Sequence, residues 1–357
     1  MPFTAAELAN IANSTLDFYI NKGKVEKQNV QDKPMMAAFE ATAGTFPGGK
    51  GNVSLGVKGG QGGGSMVGYT HDDQVTYYNP ASNLRVNFPW KEHHIGLGIT
   101  HTELKTDGIT VTEDGDGQST SEKDGREQFA LANLLEEKLD DMDEDRKKSW
   151  DGYIHGDGTG SAKALAGIRS FILDSPSVGT TGGLSRVTYP WWRNRAATAA
   201  NAAAGGRGAI TVNAAGGGAL LQFMQQESRQ IRRFAQGGVK LRMFAGSDFI
   251  DGYEREIRAN GLYTQNGFSG TIDGAMGDPS FKGNPFVYDP TLDDLGFSKR
   301  CYVIDMRRIR LMYMIGEKMK KASPPRPYDR YVLYRGLTTT AVMTAQQLNT
   351  SAVYDIA

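Results

Sequence analysis

"GGKGNVSLGVKGGQGGGSMVGY", residues 48–69, admits two readings with different folds behind them. A glycine-rich run with lysines can cradle phosphates between a strand and a helix, or it can be a bending loop between strands. Residues 44–51, G-T-F-P-G-G-K-G, fit the G-x-x-x-x-G-K pattern of a nucleotide-binding loop, but Gly51 stands where Ser or Thr would hold magnesium. Context decides between them. The preceding "MMAAFEATAG" (35–44) is not a β-branched strand, and the following "GNVSLGV" (51–57) alternates like a strand instead of opening a helix. The glycines therefore read as a structural loop.

Working outward, the period of two persists. Val53, Leu55 and Val57 alternate with small or polar residues, then Leu84, Val86, Phe88 and Trp90, then Ile95, Leu97 and Ile99. Strict alternation gives one buried and one exposed face, the mark of antiparallel strands. Residues 50–100 thus predict long strands in a hairpin-like extension. Upstream, Thr4 and Glu7 form a capping box ahead of an apolar stripe (Leu8, Ile11, Leu16, Tyr19, Ile20), predicting an amphipathic helix on an irregular arm. Downstream, Ser121 to Trp150 predicts a charged helix about 45 Å long, with Leu131, Leu134, Leu135, Leu139 and Met142 as its stripe.

The second half mixes elements. "AGIRSFIL" (166–173), "VKLRMFAG" (239–246), "GNPFVYDP" (283–290), "RCYVIDM" (300–306) and most of 331–348 read as strands. Residues 219–236 and 247–261 read as helices, and 196–218 as an Ala/Gly linker. Strands and helices interleave without a regular βαβ period, so the fold class is α+β.

Composition bounds the function. Lys+Arg and Asp+Glu both total 40, so no net charge draws the chain to nucleic acid or an acidic membrane. The single Cys301 rules out an internal disulfide framework and suits a reducing compartment. No apolar run approaches a membrane span and no signal peptide opens the chain, so a soluble, intracellularly made protein of two or three packed units is expected. Glycine, at 45 of 357 residues, is nearly twice its usual ~7% share.

Chemistry-bearing clusters are sparse. In a strand His93 and His94 point to opposite faces, while His93 and His101 lie roughly 26 Å apart, too far for one metal ion. His155, in "GYIHGDGTG", has Asp151 and Asp157 near it, a weak signal. Cys301 sits in an apolar strand, where a thiol is inert, and no G-x-S-x-G elbow occurs. No catalytic, cofactor or metal residues are predicted, and an enzyme is not expected. Two basic stretches remain: Arg229, Arg232 and Arg233, and a run from Arg307, Arg308 and Arg310 through Lys318, Lys320 and Lys321 to Arg326. They read either as solvated surface or as partners for the acidic helix of another copy.

The order of pieces resembles a tailed-bacteriophage major capsid protein of the Hong Kong 97 type. "GIRSFI", "GGLSRVTYPWWRN" and "FKGNPFVYDP" are similar to segments of that family, and the resemblance spans nearly the whole chain. It implies an N-terminal arm at 1–46, an extended loop at 47–103, a peripheral domain with the spine helix at 104–174, an axial domain at 175–300, and a return to the peripheral domain at 301–357. The loop would bend over an adjacent subunit, with Lys50, Lys58 and Trp90 on it as candidate interface residues; Arg307, Arg308 and Arg310 are the others. An exposed half-apolar ribbon is a liability in a monomer and would be covered by neighbours in a shell. Copies would form hexamers and pentamers of an icosahedral head around double-stranded DNA, without sequence-specific contacts and with no membrane. The expected localisation is the virion, reached from the host cytoplasm. A separate scaffolding protein is expected in place of a cleaved leader, with a portal as partner and a decoration protein as a further candidate. An encapsulin-like compartment shell is the alternative, followed by a soluble enzyme.

Overall fold

The computed structural model describes residues 30–59, 66–75, 77, 83–100, 102, 125–212, 219–235, 238–259, 279–322 and 332–357. The chain divides into two units, Met1–Asp32 and Lys33–Ala357, and the architecture that follows is that of the second. The helix expected after Thr4, the glycine tip at 60–65, His101, Ser121 and Arg326 lie outside the described residues.

Helix α1 (Pro34–Ala41) opens on a proline, whose fixed φ suits a first helical turn, and buries Met35, Met36 and Phe39. After β1 (Gly44–Phe46), strands β2 (Asn52–Lys58) and β3 (Asn83–Pro89) pair antiparallel as a two-stranded ribbon. The third alternating stretch does not extend that ribbon. β4 (Lys91–Thr100) parts from it at Trp90 and pairs antiparallel with β14 (Val332–Ala345), from Lys91↔Ala341 to Thr100↔Val332. Periodicity specifies which face of a strand is buried but not its partner, and here the partner lies more than 200 residues away.

Helix α2 (Gly125–His155) is 31 residues long, about 46 Å at ~1.5 Å per residue. It runs beyond the expected end at Trp150 because Ile154 continues the buried stripe of Met142 and Trp150 at four-residue spacing. It stops where the chain must fold back: a Cβ on Gly167 would strike the carbonyl oxygens of Tyr153, Ile154 and Gly156, so only glycine lets that loop close on the helix end. "AGIRSFIL" is not a strand but the short helix α3 (Ile168–Phe171). Ile168, Phe171 and Ile172 are all buried at i, i+3, i+4 spacing, a helical pattern that a short apolar run does not separate from a strand.

Strand pairs β5 (Thr180–Thr181) and β6 (Leu184–Ser185) precede β7 (Arg195–Ala197). The supposed Ala/Gly linker after it begins as structure: Thr198 caps α4 (Ala199–Ala203) by accepting from the Asn201 amide. Helix α5 (Ala219–Arg233), β8 (Leu241–Ala245), α6 (Ser247–Ala259), β9 (Ser280–Phe281), β10 (Asn284–Tyr288), α7 (Pro290–Asp294) and β11 (Arg300–Asp305) follow. The chain ends with β12 (Ile309–Met314), β13 (Lys320–Ala322), β14 and β15 (Ala352–Asp355).

Two main sheets result. One has the order β1-β12-β14-β13, with β4 also on β14; the other runs β7-β15-β11-β8-β10-β9 with mixed directions. The six residues of β11 are all buried, as a central strand requires, and α5 and α6 pack Phe223, Met224, Phe249 and Tyr253 onto that sheet. The first sheet shares a second core with α1, the ribbon and the end of α2.

Candidate assembly surfaces

The ribbon's apolar face comes first, because it was expected to await a neighbour. Register places Val53 opposite Phe88, Leu55 opposite Val86 and Val57 opposite Leu84, so all six share one face. Val53, Val57, Val86 and Phe88 are buried against their own chain. Phe88 meets Phe171 at 5.5 Å between ring centres, and the Asn87 amide donates to the Gly182 carbonyl at 3.0 Å. Gly182 adopts φ +61° with Phe88 and Val86 against it, where a side chain would neither fit nor relax. Burial of such side chains contributes roughly 1.5–3 kcal/mol each. The expectation of a ribbon face covered by neighbours is therefore corrected for β2 and β3.

What stays uncovered is the segment beyond. Met66, Val67, Tyr69, Val75 and Tyr77 are all exposed, Tyr77 at 96% and Tyr69 at 63%. The same segment carries a self-contained turn in which the amide and hydroxyl of Thr70 donate to Asp73, both at 2.9 Å. These residues gave no sequence signal, since scattered apolar residues among glycines have no period.

Lys50 and Lys58 are exposed, Lys50 in the turn after β1 and Lys58 at the end of β2. Trp90 is half-buried, its ring 6.1 Å from that of Phe46. Arg307 and Arg308 occupy the turn between β11 and β12, which Asp305 organises by accepting from the Arg307 and Lys240 amides. Arg310 is exposed on β12, and its Nε donates to the Arg307 carbonyl at 3.0 Å. β12 was read as part of a basic surface stretch, yet Ile309, Leu311 and Tyr313 alternate as its buried face. The strand separates Arg307–Arg310 at one end from Lys318–Lys321 at the other by roughly 20 Å at ~3.3 Å per residue. The structure thus does not gather the basic run into one patch. On α2, Asp143 is taken up by Arg146 and Lys147, both at 2.8 Å, so that acid is neutralised within its own helix.

Two buried polar clusters hold these surfaces in place. His155 closes α2, with Nδ1 2.9 Å from the Asp151 carbonyl and Nε2 2.9 Å from Asp289 Oδ2. Thr291 Oγ1 donates to Asp151 Oδ2 at 2.6 Å, and Asp289 also caps α7 by accepting from the Thr291 amide. Burial alone would lower the His155 pKa; the hydrogen bonds and charges of Asp151 and Asp289 override it and push it up to about 10. The imidazolium is therefore a charged pin between the end of the long helix and the start of α7. Asp157, the other sequence candidate, turns instead to the amide and hydroxyl of Thr159. The second cluster centres on Arg186, fully buried and donating to Thr181, Asn194 and the Phe171 carbonyl. Burial and the nearby Arg193 pull its pKa down to about 10.

A groove of about 660 Å³ lies between α2 and the first sheet, lined by His93, Trp150, Tyr153, Tyr313, Arg146 and Lys318 among others. His93 packs its ring on Trp150 and Tyr153 at 5.3 and 4.8 Å, and burial holds its pKa below the usual range. His94 on the opposite face is exposed. Cys301 is fully buried, which pushes its thiol pKa far up and leaves it un-ionised. Among the described residues no group of His, Cys, Asp or Glu is arranged to hold a metal ion, and no helix is long and apolar enough to cross a membrane.

This arrangement of two sheets, a long helix and a ribbon is the fold of phage capsid proteins. The chain superposes on a subunit of the cyanophage A-1(L) capsid asymmetric unit with a TM-score of 0.60 at 15% identity, over 93% of this chain and 95% of that one. The capsid of the native GTA particle gives a TM-score of 0.53 at 12% identity, over 94% and 93% of the two chains. The capsid of Myoviridae phage XM1 gives 0.52 at 12% identity, over 94% and 95%. No family model matches the sequence. No curated protein matches it either.

Proposed function

We propose that this chain is the major capsid protein of a tailed phage, a structural subunit that self-assembles into hexamers and pentamers of an icosahedral head around double-stranded DNA. The observation that carries the reading is likeness along nearly the whole chain: more than nine-tenths of this chain and of each capsid subunit superpose. The exposed apolar segment 66–77 supports it, because a monomer gains nothing from uncovered Met66, Tyr69 and Tyr77, whereas a shell supplies a neighbour to cover them. In this reading residues 1–46 are the arm, 47–103 the extended loop, 104–174 and 301–357 the peripheral domain, and 175–300 the axial domain. Lys50, Lys58 and the Arg307–Arg310 turn face adjacent copies, and Trp90 acts from within its own chain, steadying the crossing from ribbon to sheet. The role is structural and not enzymatic. A separate scaffolding protein, a portal and a decoration protein are the further partners, with assembly in the host cytoplasm before the virion is complete.

Sedimentation velocity of the purified full chain, alone and with the proposed scaffolding protein, tests this. Rings or shells, sedimenting far faster than a monomer, are expected; a single small species at every concentration under both conditions would refute it.

A further inference from the structure

Helix α5 presents a solvent face made only of glutamines and arginines, among them Gln226, Arg229, Gln230, Arg232 and Arg233. Its one acid, Glu227, points inward and is held by Arg195 through Nε and Nη2, so it does not offset the face. Beside the helix the two-residue turn between β9 and β10 places Lys282, whose Nζ reaches Ser228 Oγ at 3.3 Å. Arg229 and Arg232 stand close enough to repel that ammonium. Among the described residues neither arginine has a carboxylate partner. The turn itself sharpens the point. Lys282 and Gly283 have φ of +48° and +80°, a conformation that asparagine or glycine takes at less cost than lysine. A lysine there is held in a left-handed backbone conformation that brings its amine to two arginines.

We infer that the outer face of α5, with Lys282, is a contact surface for the phosphate backbone of double-stranded nucleic acid. This rests on the capsid reading for the source of the polyanion. Three features favour phosphate over a protein partner. The exposed positions of α5 are all polar, and the exposed Phe234 just past its end sits at the rim, with the Arg233 guanidinium 5.5 Å from its ring centre, whereas a protein interface needs an apolar anchor at its centre. Arginine, lysine and glutamine are the side chains that donate to phosphate oxygens without reading sequence. The face from Gln222 to Arg233 is roughly 17 Å long at ~1.5 Å per residue, matching about five phosphates on one strand at ~3.4 Å per step. The overall charge balance is no objection, since contact depends on the local array.

The test is fluorescence anisotropy of a labelled duplex of arbitrary sequence, titrated with the unassembled full chain at low salt and repeated across salt concentrations. Four phosphate contacts, from Arg229, Arg232, Arg233 and Lys282, predict a slope of log K against log salt of about −3.6. Substituting Arg229→Gln, Arg232→Gln and Lys282→Gln together should cut that slope to about −0.9, the share of Arg233, and weaken binding at least tenfold, while Lys50→Gln with Lys58→Gln changes neither. If the triple variant misfolds, Lys282→Gly, which suits the turn, should lower the slope by about one. The inference is overturned if the wild-type chain does not bind, or if the variants keep the wild-type affinity and slope. It is also overturned if the triple variant binds duplex normally but no longer assembles, since the face would then contact another copy. Wild-type assembly is scored separately, so a failed surface leaves the capsid reading standing and a failed capsid reading is seen without the duplex.

Discussion

His155 is where pH acts on this fold. Its pKa is raised from an ordinary 6.5 to about 10 by two buried aspartates. A group whose folded pKa is raised gives its full stabilisation below the unfolded value and loses it as pH climbs through the folded one. Unfolding free energy should therefore fall between about pH 6.5 and pH 10 through this residue. His155→Ala should cost on the order of 3 kcal/mol at pH 6, because it leaves Asp151 and Asp289 buried without their cation, and should flatten that alkaline slope. Urea unfolding at pH 6, 8 and 10 checks both; a wild-type profile with no alkaline loss would count against the pin. Only part of this cluster was visible in the sequence: Asp151 lies four residues before His155, but the helix was expected to end at Trp150, and Asp157, which turns to Thr159, was grouped with them. Asp289 lies 134 residues further on, and no local pattern points to it.

At the scale of elements, side-chain period was a sound guide to strands and a poor one to pairing. The ribbon of β2 and β3, helices α5 and α6, and the strands β8, β10 and β11 follow from alternation or helical spacing that their sequences display. β4 shows the limit: its alternation was legible, but its partner β14 was not. β12 was obscured for a different reason, because its exposed arginines drew attention from the alternating Ile309, Leu311 and Tyr313. α3 failed because four residues are too few for a period. The ribbon's seat on the body gives the prediction proper to this scale. Gly182→Ala adds a Cβ about 3 Å from Phe88 and Val86 at a positive φ, and should destabilise the chain by roughly 1–3 kcal/mol. It should also expose β2 and β3 to limited proteolysis first. A variant with wild-type melting and wild-type cleavage would mean the ribbon is not seated there.

Across the whole molecule, the described core is closed on itself while the loop segment is not. Gly59 lies so close against the Trp191 ring that a Cβ would overlap it, and beyond lies the exposed apolar segment. If that segment is an intersubunit contact, replacing Met66, Tyr69 and Tyr77 by serine should leave the subunit's melting temperature within a degree or two. It should nonetheless abolish particles by light scattering, because the removed contacts are made only between copies. Loss of folding in that variant, or normal particles from it, would contradict the assignment. The charge balance read from composition suits a chain that meets its own copies, whereas the exposed apolar segment has no period and emerges only once the chain is folded.

The most direct measurement is a cryo-electron microscopy reconstruction of the particles formed by the purified full chain. The account predicts an icosahedral shell of five- and six-subunit capsomers in which residues 66–77 are buried on an adjacent subunit. A shell in which that segment faces solvent, or discrete monomers or dimers at every concentration even with the scaffolding protein supplied, would contradict it.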